Sequence, residues 1–115
     1  MSTDHRIRLR RPWQCQPTAV GLRWLRRFNW PTRLEPGAQV WLVCERFAAG
    51  PLRATLNGRP LGTLAAGAPG RLEITAALAS RNELWLEIAS SHGADANCVD
   101  QPPGEVCLEI GRVVQ

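Results

Sequence analysis

Apolar and polar side chains alternate with a period of two along most of this 115-residue sequence, and this pattern constrains the fold more than any other feature. The clearest case is Leu84, Leu86 and Ile88, which are separated by charged or aromatic residues. Successive side chains of a strand point to opposite faces, so this period predicts strands with one buried face. A helix would instead need apolar residues about every 3.6 positions.

The alternating segments are short and are separated by glycine, proline and asparagine, as is typical of a β-sandwich. We predict an all-β fold of seven to nine strands in two facing antiparallel sheets. A chain of this length can build one such core but not two, so residues 1–115 are predicted to form a single domain. The predicted strands are 6–10, 21–28, 39–47, 52–56, 59–64, 72–74, 82–89 and 106–110, with one helical turn in 75–80.

The apolar patterns of two of these segments predict the position of each strand within its sheet. Residues 21–28 are mixed on both faces, which favours an edge strand. Residues 39–47 are apolar on both faces, which favours a central strand. Between two other segments, Asn57-Gly58 is the strongest hairpin signal in the sequence, because both residues accept the positive φ of a type I′ turn.

Five segments between residues 20 and 90 together resemble the N-terminal sugar-binding domain of glycoside hydrolase family 2 enzymes, such as β-galactosidases and β-glucuronidases. The segments are Arg27–Thr32, Gln39–Val43, Leu56–Gly62, Leu72–Thr75 and Arg81–Ile88. The resemblance implies a jelly-roll, galactose-binding-like β-sandwich. It does not imply hydrolase activity, because the catalytic carboxylates of those enzymes lie in a separate TIM barrel that 115 residues cannot contain.

The motif residues also have plain structural explanations. Asn57 and Gly58 suit a turn, Ile74 and Thr75 suit the end of a strand that leads into a helical turn, and Asn82 suits a strand start at which its amide binds local backbone. We therefore expect these residues to be structural and not to bind sugar.

Charge is distributed unevenly along the chain. Residues 1–33 hold eight arginines and one acid, a balance of +7, whereas residues 34–115 hold six arginines and nine acids, a balance of −3. We expect the two parts to attract each other within the domain or to form a partner-binding face. Nucleic-acid binding is not expected, because no helix-turn-helix, zinc-finger or RNA-binding aromatic motif accompanies the arginines.

No set of catalytic residues is evident, and we expect no enzymatic activity. Of the two histidines, His5 lies near the terminus and His92 lies in a polar loop with Asp95 and Cys98, where a catalytic geometry would be poorly fixed. The carboxylates of Glu87 and Glu109 could approach each other on neighbouring strands, but exposed glutamates of a sandwich are normally solvated or paired with arginine.

The four cysteines, Cys15, Cys44, Cys98 and Cys107, form no C-x-x-C pair. Cys44 continues an alternating apolar row, so it is predicted to be a small buried side chain. The ligand types near Cys98 match no zinc spacing. We expect no metal and no cofactor.

Tryptophan is abundant and supplies the candidate binding residues. Trp24 and Trp41 are predicted to serve the core or a sheet edge, whereas Trp85 alternates with Glu83 and Glu87 and should therefore lie on a polar face, where it would be available to a partner. The full set of candidate ligand-binding residues is Trp85, Trp30, Asn29, Arg33, His92, Asp95 and Asn97.

Two functions follow from these residues. One is a non-catalytic interaction or structural module, whose partner is another protein or a second copy of the chain. The alternative is a carbohydrate-binding module that uses Trp85 or Trp30 with polar groups of residues 91–101. No apolar segment is long enough to span a membrane, and residues 1–11 lack the apolar core of a signal peptide, so we expect no membrane partner and a cytoplasmic location.

Overall fold

The computed structural model describes residues 2–10, 12–19, 21–30, 37–45, 51–65, 69–89, 102 and 104–112. These residues form two antiparallel sheets, which confirms the predicted β-sandwich. The strands are β1 (Ser2–Arg8), β2 (Gln14–Pro17), β3 (Gly21–Asn29), β4 (Ala38–Glu45), β5 (Leu52–Leu56), β6 (Arg59–Leu64), β7 (Gly70–Glu73), β8 (Arg81–Ala89) and β9 (Glu105–Arg112). The four-stranded sheet has the order β1-β9-β4-β7, and the five-stranded sheet has the order β2-β3-β8-β5-β6.

The inward side chains of the two sheets form one hydrophobic core. Those predicted from the alternation are almost completely buried: Val40, Leu42, Leu84, Leu86 and Leu108 are at most 1% exposed. Burying a side chain of this size contributes roughly 1.5–3 kcal/mol relative to leaving it in water. For the strands that carry these residues, the period of two therefore predicted both the strand and the face that it buries.

The predicted edge position of β3 is wrong, whereas the central position of β4 is confirmed. β3 lies between β2 and β8, and β4 lies between β9 and β7. The edge next to β3 is instead the four-residue strand β2, which is polar and contains proline, so its sequence lacks a strand pattern. The outward face of β3 is mixed because its side chains meet partners across the sheet, such as Leu25 opposite Trp85.

Two short turns set the geometry at one end of the sandwich. Asn57 and Gly58 have φ values of 54° and 79°, as the predicted type I′ turn requires. The helical turn predicted in 75–80 is confirmed as a 3₁₀ turn at Thr75–Ala77. The Thr75 hydroxyl accepts a hydrogen bond from the Val40 amide at 2.8 Å, which ties this turn to β4. The turn thus connects the two sheets next to the start of β8.

Candidate functional site

The outward face of the five-stranded sheet holds the central candidate residue, Trp85. We call it the tryptophan face and define it by the side chains that β3, β8 and β5 direct away from the core. One cross-strand row contains Leu25, Trp85 and Thr55. The next row contains Arg23, Glu87 and Arg53. The tryptophan face is therefore a row of one buried leucine, one half-buried tryptophan and one half-buried threonine beside a row of alternating charge.

Trp85 lies on the polar face that the alternation predicted, but it is half-buried and not fully exposed. The guanidinium carbon of Arg23 lies 4.1 Å from the centre of the Trp85 ring, in a cation–π contact. The indole Nε1 donates a hydrogen bond to Oε1 of Glu83 at 3.0 Å. One side of the ring is thus covered by arginine, which the sequence alone could not show, because the contact depends on strand register.

The neighbouring charges extend these contacts along the sheet. Oε2 of Glu83 lies 3.4 Å from Nε of Arg27, and Oε1 of Gln16 accepts a hydrogen bond from Arg23 at 2.8 Å. Nε of Arg23 is buried without a hydrogen-bond partner. Arg23 therefore keeps unused hydrogen-bonding capacity beside the ring of Trp85.

The outward face of the four-stranded sheet differs because its charges pair with one another. Arg6 lies 2.8 Å from Glu45 and 3.7 Å from Glu109, and Arg71 lies 3.1 Å from Glu109. Arg71 also lies over the ring of Trp41, 5.0 Å from its centre. By contrast, Glu87 and Arg53 of the tryptophan face make no ion pair with any described residue.

Trp24 lies in the core, one of the two positions predicted for it, whereas Trp41 lies neither in the core nor in an edge strand, because β4 is a central strand. Trp24 is 2% exposed and belongs to the core. Trp41 lies on the outward face of the four-stranded sheet, opposite Glu73 of the edge strand β7.

A polar depression of about 620 Å³ lies at the end of the five-stranded sheet. It is lined by the last residues of β3, the Asn57-Gly58 turn and the first residues of β8. Asn82, the buried polar residue at its base, accepts hydrogen bonds from the Ala79 amide at 2.8 Å and from the Asn57 side chain at 3.0 Å. The expected local hydrogen bonding of Asn82 is thus confirmed, and it extends to the neighbouring hairpin.

The structure separates the predicted binding residues. Trp85 lies in the middle of the tryptophan face, whereas Asn29 is exposed in the lining of the depression. Trp30 packs against the core, and its Nε1 is buried without a described hydrogen-bond partner. The other predicted residues, Arg33, His92, Asp95 and Asn97, lie outside the described residues. Sequence reasoning did not find Arg23 and Arg81, whose positions depend on the pairing of β3 with β8.

The remaining chemical hypotheses are only partly tested. Glu87 and Glu109 belong to different sheets, so the idea that they approach each other on neighbouring strands is wrong. Among the described residues, no group of three potential ligands could hold a metal ion. In the same part of the chain, no helix is long and apolar enough to cross a membrane.

The cysteines differ in their environments. Cys44 and Cys107 are free and buried, and burial raises the pKa of Cys44 to about 12, with a smaller effect from Cys107. The prediction that Cys44 is a buried hydrophobic side chain is confirmed. Cys15 is disulfide-bonded. Disulfides are rare in reducing compartments such as the cytoplasm. The disulfide at Cys15 therefore bears on the expected cytoplasmic location.

Comparison with solved structures finds a similar fold within two glycoside hydrolases. One similar structure is the FMN-binding β-glucuronidase from Facaelibacterium prausnitzii L2-6, with a TM-score of 0.71, 17% identity and coverage of 94% of this chain. Another is a rhamnosidase from Novosphingobium sp. PP1Y, with a TM-score of 0.50, 22% identity and coverage of 76%. At these identities the likeness shows the fold alone.

The matched segments are small parts of those enzymes. This chain spans 22% of the length of the β-glucuronidase and 11% of the length of the rhamnosidase. No family model matches the sequence, and no curated protein matches it.

Proposed function

We propose that this chain is a non-catalytic β-sandwich module that binds another protein through its tryptophan face. The observation that carries the proposal is the row of Leu25, Trp85 and Thr55 beside the charged side chains of Arg23, Glu87 and Arg53. Tryptophan and arginine are enriched at the energetic centres of protein interfaces. The stacking of Arg23 on Trp85 orders both side chains before binding, which lowers the entropic cost of association.

The pairing of charges supports partner binding at the tryptophan face and not at the outward face of the four-stranded sheet. On the four-stranded sheet, the ion pairs of Arg6 and Arg71 with glutamates already satisfy the charges, so a partner would gain little there. On the tryptophan face, Glu87 and Arg53 have no ion-pair partner among the described residues. A complementary protein surface could therefore pair with them.

The solved structures provide a second line of support. In the two similar structures, the matched β-sandwich is a part of a much longer glycoside hydrolase chain. A fold that occurs beside other domains in those chains suits a role in which one face is covered by protein. The partner could be such a larger protein or a second copy of this chain.

The test is a pair of matched substitutions, each of which places an arginine on one outward face. Position 55 lies on the tryptophan face beside Trp85, and position 39 lies on the outward face of β4; both positions are half-buried. The two variants are Thr55→Arg and Gln39→Arg. Native mass spectrometry of gently isolated protein should show a complex for the wild type and for Gln39→Arg, and the free chain for Thr55→Arg. A free wild-type chain, or equal complex in both variants, would contradict the proposal.

A carbohydrate-binding module is the second candidate function, and the fold shared with β-sandwich segments of a β-glucuronidase and a rhamnosidase favours it. In this version, Trp85 or Trp30 would contact the apolar face of a sugar ring. A glycan array distinguishes the two candidates. Glycans that the wild type retains and Trp85→Ala loses would support sugar binding on the tryptophan face, whereas a blank array with a stable protein complex would support the first proposal.

A further inference from the structure

The charged row of the tryptophan face has a pattern that is complementary to itself. Arg23 of β3, Glu87 of β8 and Arg53 of β5 lie side by side, so the charges run positive, negative, positive across the sheet. Glu87 and Arg53 are neighbours in this row, but neither forms an ion pair with the other or with another described residue. Both charges therefore remain available to a surface that presents the opposite order.

A second copy of the chain presents that order when a two-fold axis relates the copies. Two-fold symmetry is the commonest symmetry of homo-oligomers, and it brings one patch against the same patch of the other copy. With the axis parallel to the strands, between β8 and β5, Glu87 of each copy lies over Arg53 of the other, and Trp85 lies over Thr55. An axis along β8 would instead place Glu87 over the same residue of the second copy, and an axis across the strands at Trp85 would place it over Glu83.

An axis between β3 and β8 would also bring opposite charges together, but the side chains there are already occupied. Arg23 stacks on the ring of Trp85 and binds a glutamine of β2. Arg27 lies 3.4 Å from a carboxylate oxygen of Glu83. Leu25, which would face the tryptophan of the second copy, is only 4% exposed. The accessible and unpaired charges therefore favour the axis between β8 and β5.

The dimensions of the five-stranded sheet suit a weak, reversible dimer. β3 and β8 are nine residues long, or about 30 Å, and the four strands β3, β8, β5 and β6 that overlap in this arrangement span about 19 Å. Each copy would thus cover up to about 600 Å² of the other, somewhat less than the roughly 800 Å² of a standard interface. An interface of this size predicts a Kd on the order of 10 µM.

We propose that this chain forms a two-fold symmetric homodimer through its tryptophan face, with Glu87 of each copy paired to Arg53 of the other. The second copy is then the partner of this face, so the dimer rests on the proposed protein-binding function. Trp85 belongs to the middle strand of the five and lies next to the axis. Dimerisation removes the rest of its ring from water, which adds apolar burial to the two ion pairs.

The experiment is sedimentation equilibrium of the purified chain and of two charge-reversal variants. Arg53→Glu and Glu87→Arg each place two pairs of like charges across the axis, so each variant alone should dimerise at least about tenfold more weakly than the wild type. An equimolar mixture of the two variants, with one labelled at its N-terminus, should form a heterodimer of nearly wild-type affinity. In that heterodimer the two substituted charges face each other, and so do the two original ones. A charge effect within one chain would not be relieved by mixing.

Glu73→Arg is the matched control, because position 73 is exposed on the opposite face. It should leave the Kd of the dimer unchanged. A wild-type chain that stays monomeric well above the expected Kd, a mixture that does not recover, or equal weakening by Glu73→Arg would overturn the proposal. If the purified chain is monomeric but Thr55→Arg removes a complex with a different protein, the homodimer fails and the protein-binding function stands. If Thr55→Arg removes no complex of either kind, both fail.

Discussion

Asn82 organises a region of the fold for which the sequence predicts only the start of a strand. It is 4% exposed, and its amide joins β8 to the β5–β6 turn and to the end of β3. A buried amide is tolerated when its donors and acceptors are satisfied, and here Asn57 and Ala79 satisfy them. Loss of the Asn82 amide would leave the Ala79 amide and the Asn57 side chain without these hydrogen bonds.

We predict that Asn82→Ala lowers the free energy of unfolding by about 2–3 kcal/mol, because it leaves the Ala79 amide and the Asn57 side chain without their partner. Urea denaturation measures this change. Asn29→Ala, at an exposed position on the same ladder, is the control and should change stability by less than about 0.5 kcal/mol. Equal effects of the two substitutions would show that the amide network does not stabilise the fold.

Cys44 gives a prediction about pH. Burial raises its pKa to about 12, so the folded chain keeps this thiol protonated after the unfolded chain has lost the proton. The resulting stabilisation is complete below pH 9 and is lost as the pH rises from about 9 towards 12, at roughly 1 kcal/mol per pH unit. The sequence has no tyrosine, and all 14 of its Lys and Arg residues are arginines, so few other groups titrate in this range.

Urea midpoints measured at pH 7.5, 9 and 10 test this linkage. The wild type should lose stability between pH 9 and 10, and Cys44→Val, which keeps an apolar side chain of similar size, should lose less. A parallel decrease in both proteins would assign the alkaline sensitivity to another group.

Among the elements, the β5–β6 hairpin depends most directly on local sequence. Gly58 has a φ of 79°, a conformation that is strained for a residue with a Cβ atom. An added methyl group would meet no neighbour within 4 Å, so the cost of a substitution comes from the backbone alone.

We predict that Gly58→Ala destabilises the fold by about 1 kcal/mol because of this backbone strain. The change should appear as a lower urea midpoint with an unchanged slope. Thr63→Ala on the exposed side of β6 is the control and should change stability by less than about 0.5 kcal/mol. A neutral Gly58→Ala would mean that the turn can adopt another conformation.

The elements also mark the limit of prediction from sequence. Strands with an apolar face, such as β4 and β8, were predictable because the polarity of each residue indicates whether its side chain is buried. β2 was not, because its four residues Gln14–Pro17 form a strand through pairing with β3 and not through an apolar pattern. The same limit applies to the sites: the outward direction of Trp85 was predictable, whereas its contact with Arg23 and the position of Arg81 beside Asn29 depend on register.

At the scale of the whole molecule, the uneven charge of the sequence is partly resolved inside the fold. Arginines from the first third of the chain pair with glutamates from the remainder: Arg6 with Glu45 and Glu109, Arg8 with Glu105, and Arg27 with Glu83. These contacts support the expected internal attraction. Most of these ion pairs lie on the four-stranded sheet. The two outward faces of the sandwich therefore differ in which charged side chains remain unpaired among the described residues and could bind a partner.

The most direct test of the central claim is site-specific photo-crosslinking on the two outward faces. A benzophenone amino acid at Thr55 reports on the tryptophan face, and the same residue at Glu73 of β7 reports on the opposite face. We predict a covalent protein adduct of defined mass from position 55 and none from position 73. Adducts of equal yield from both positions, or from position 73 alone, would contradict the assignment of partner binding to the tryptophan face.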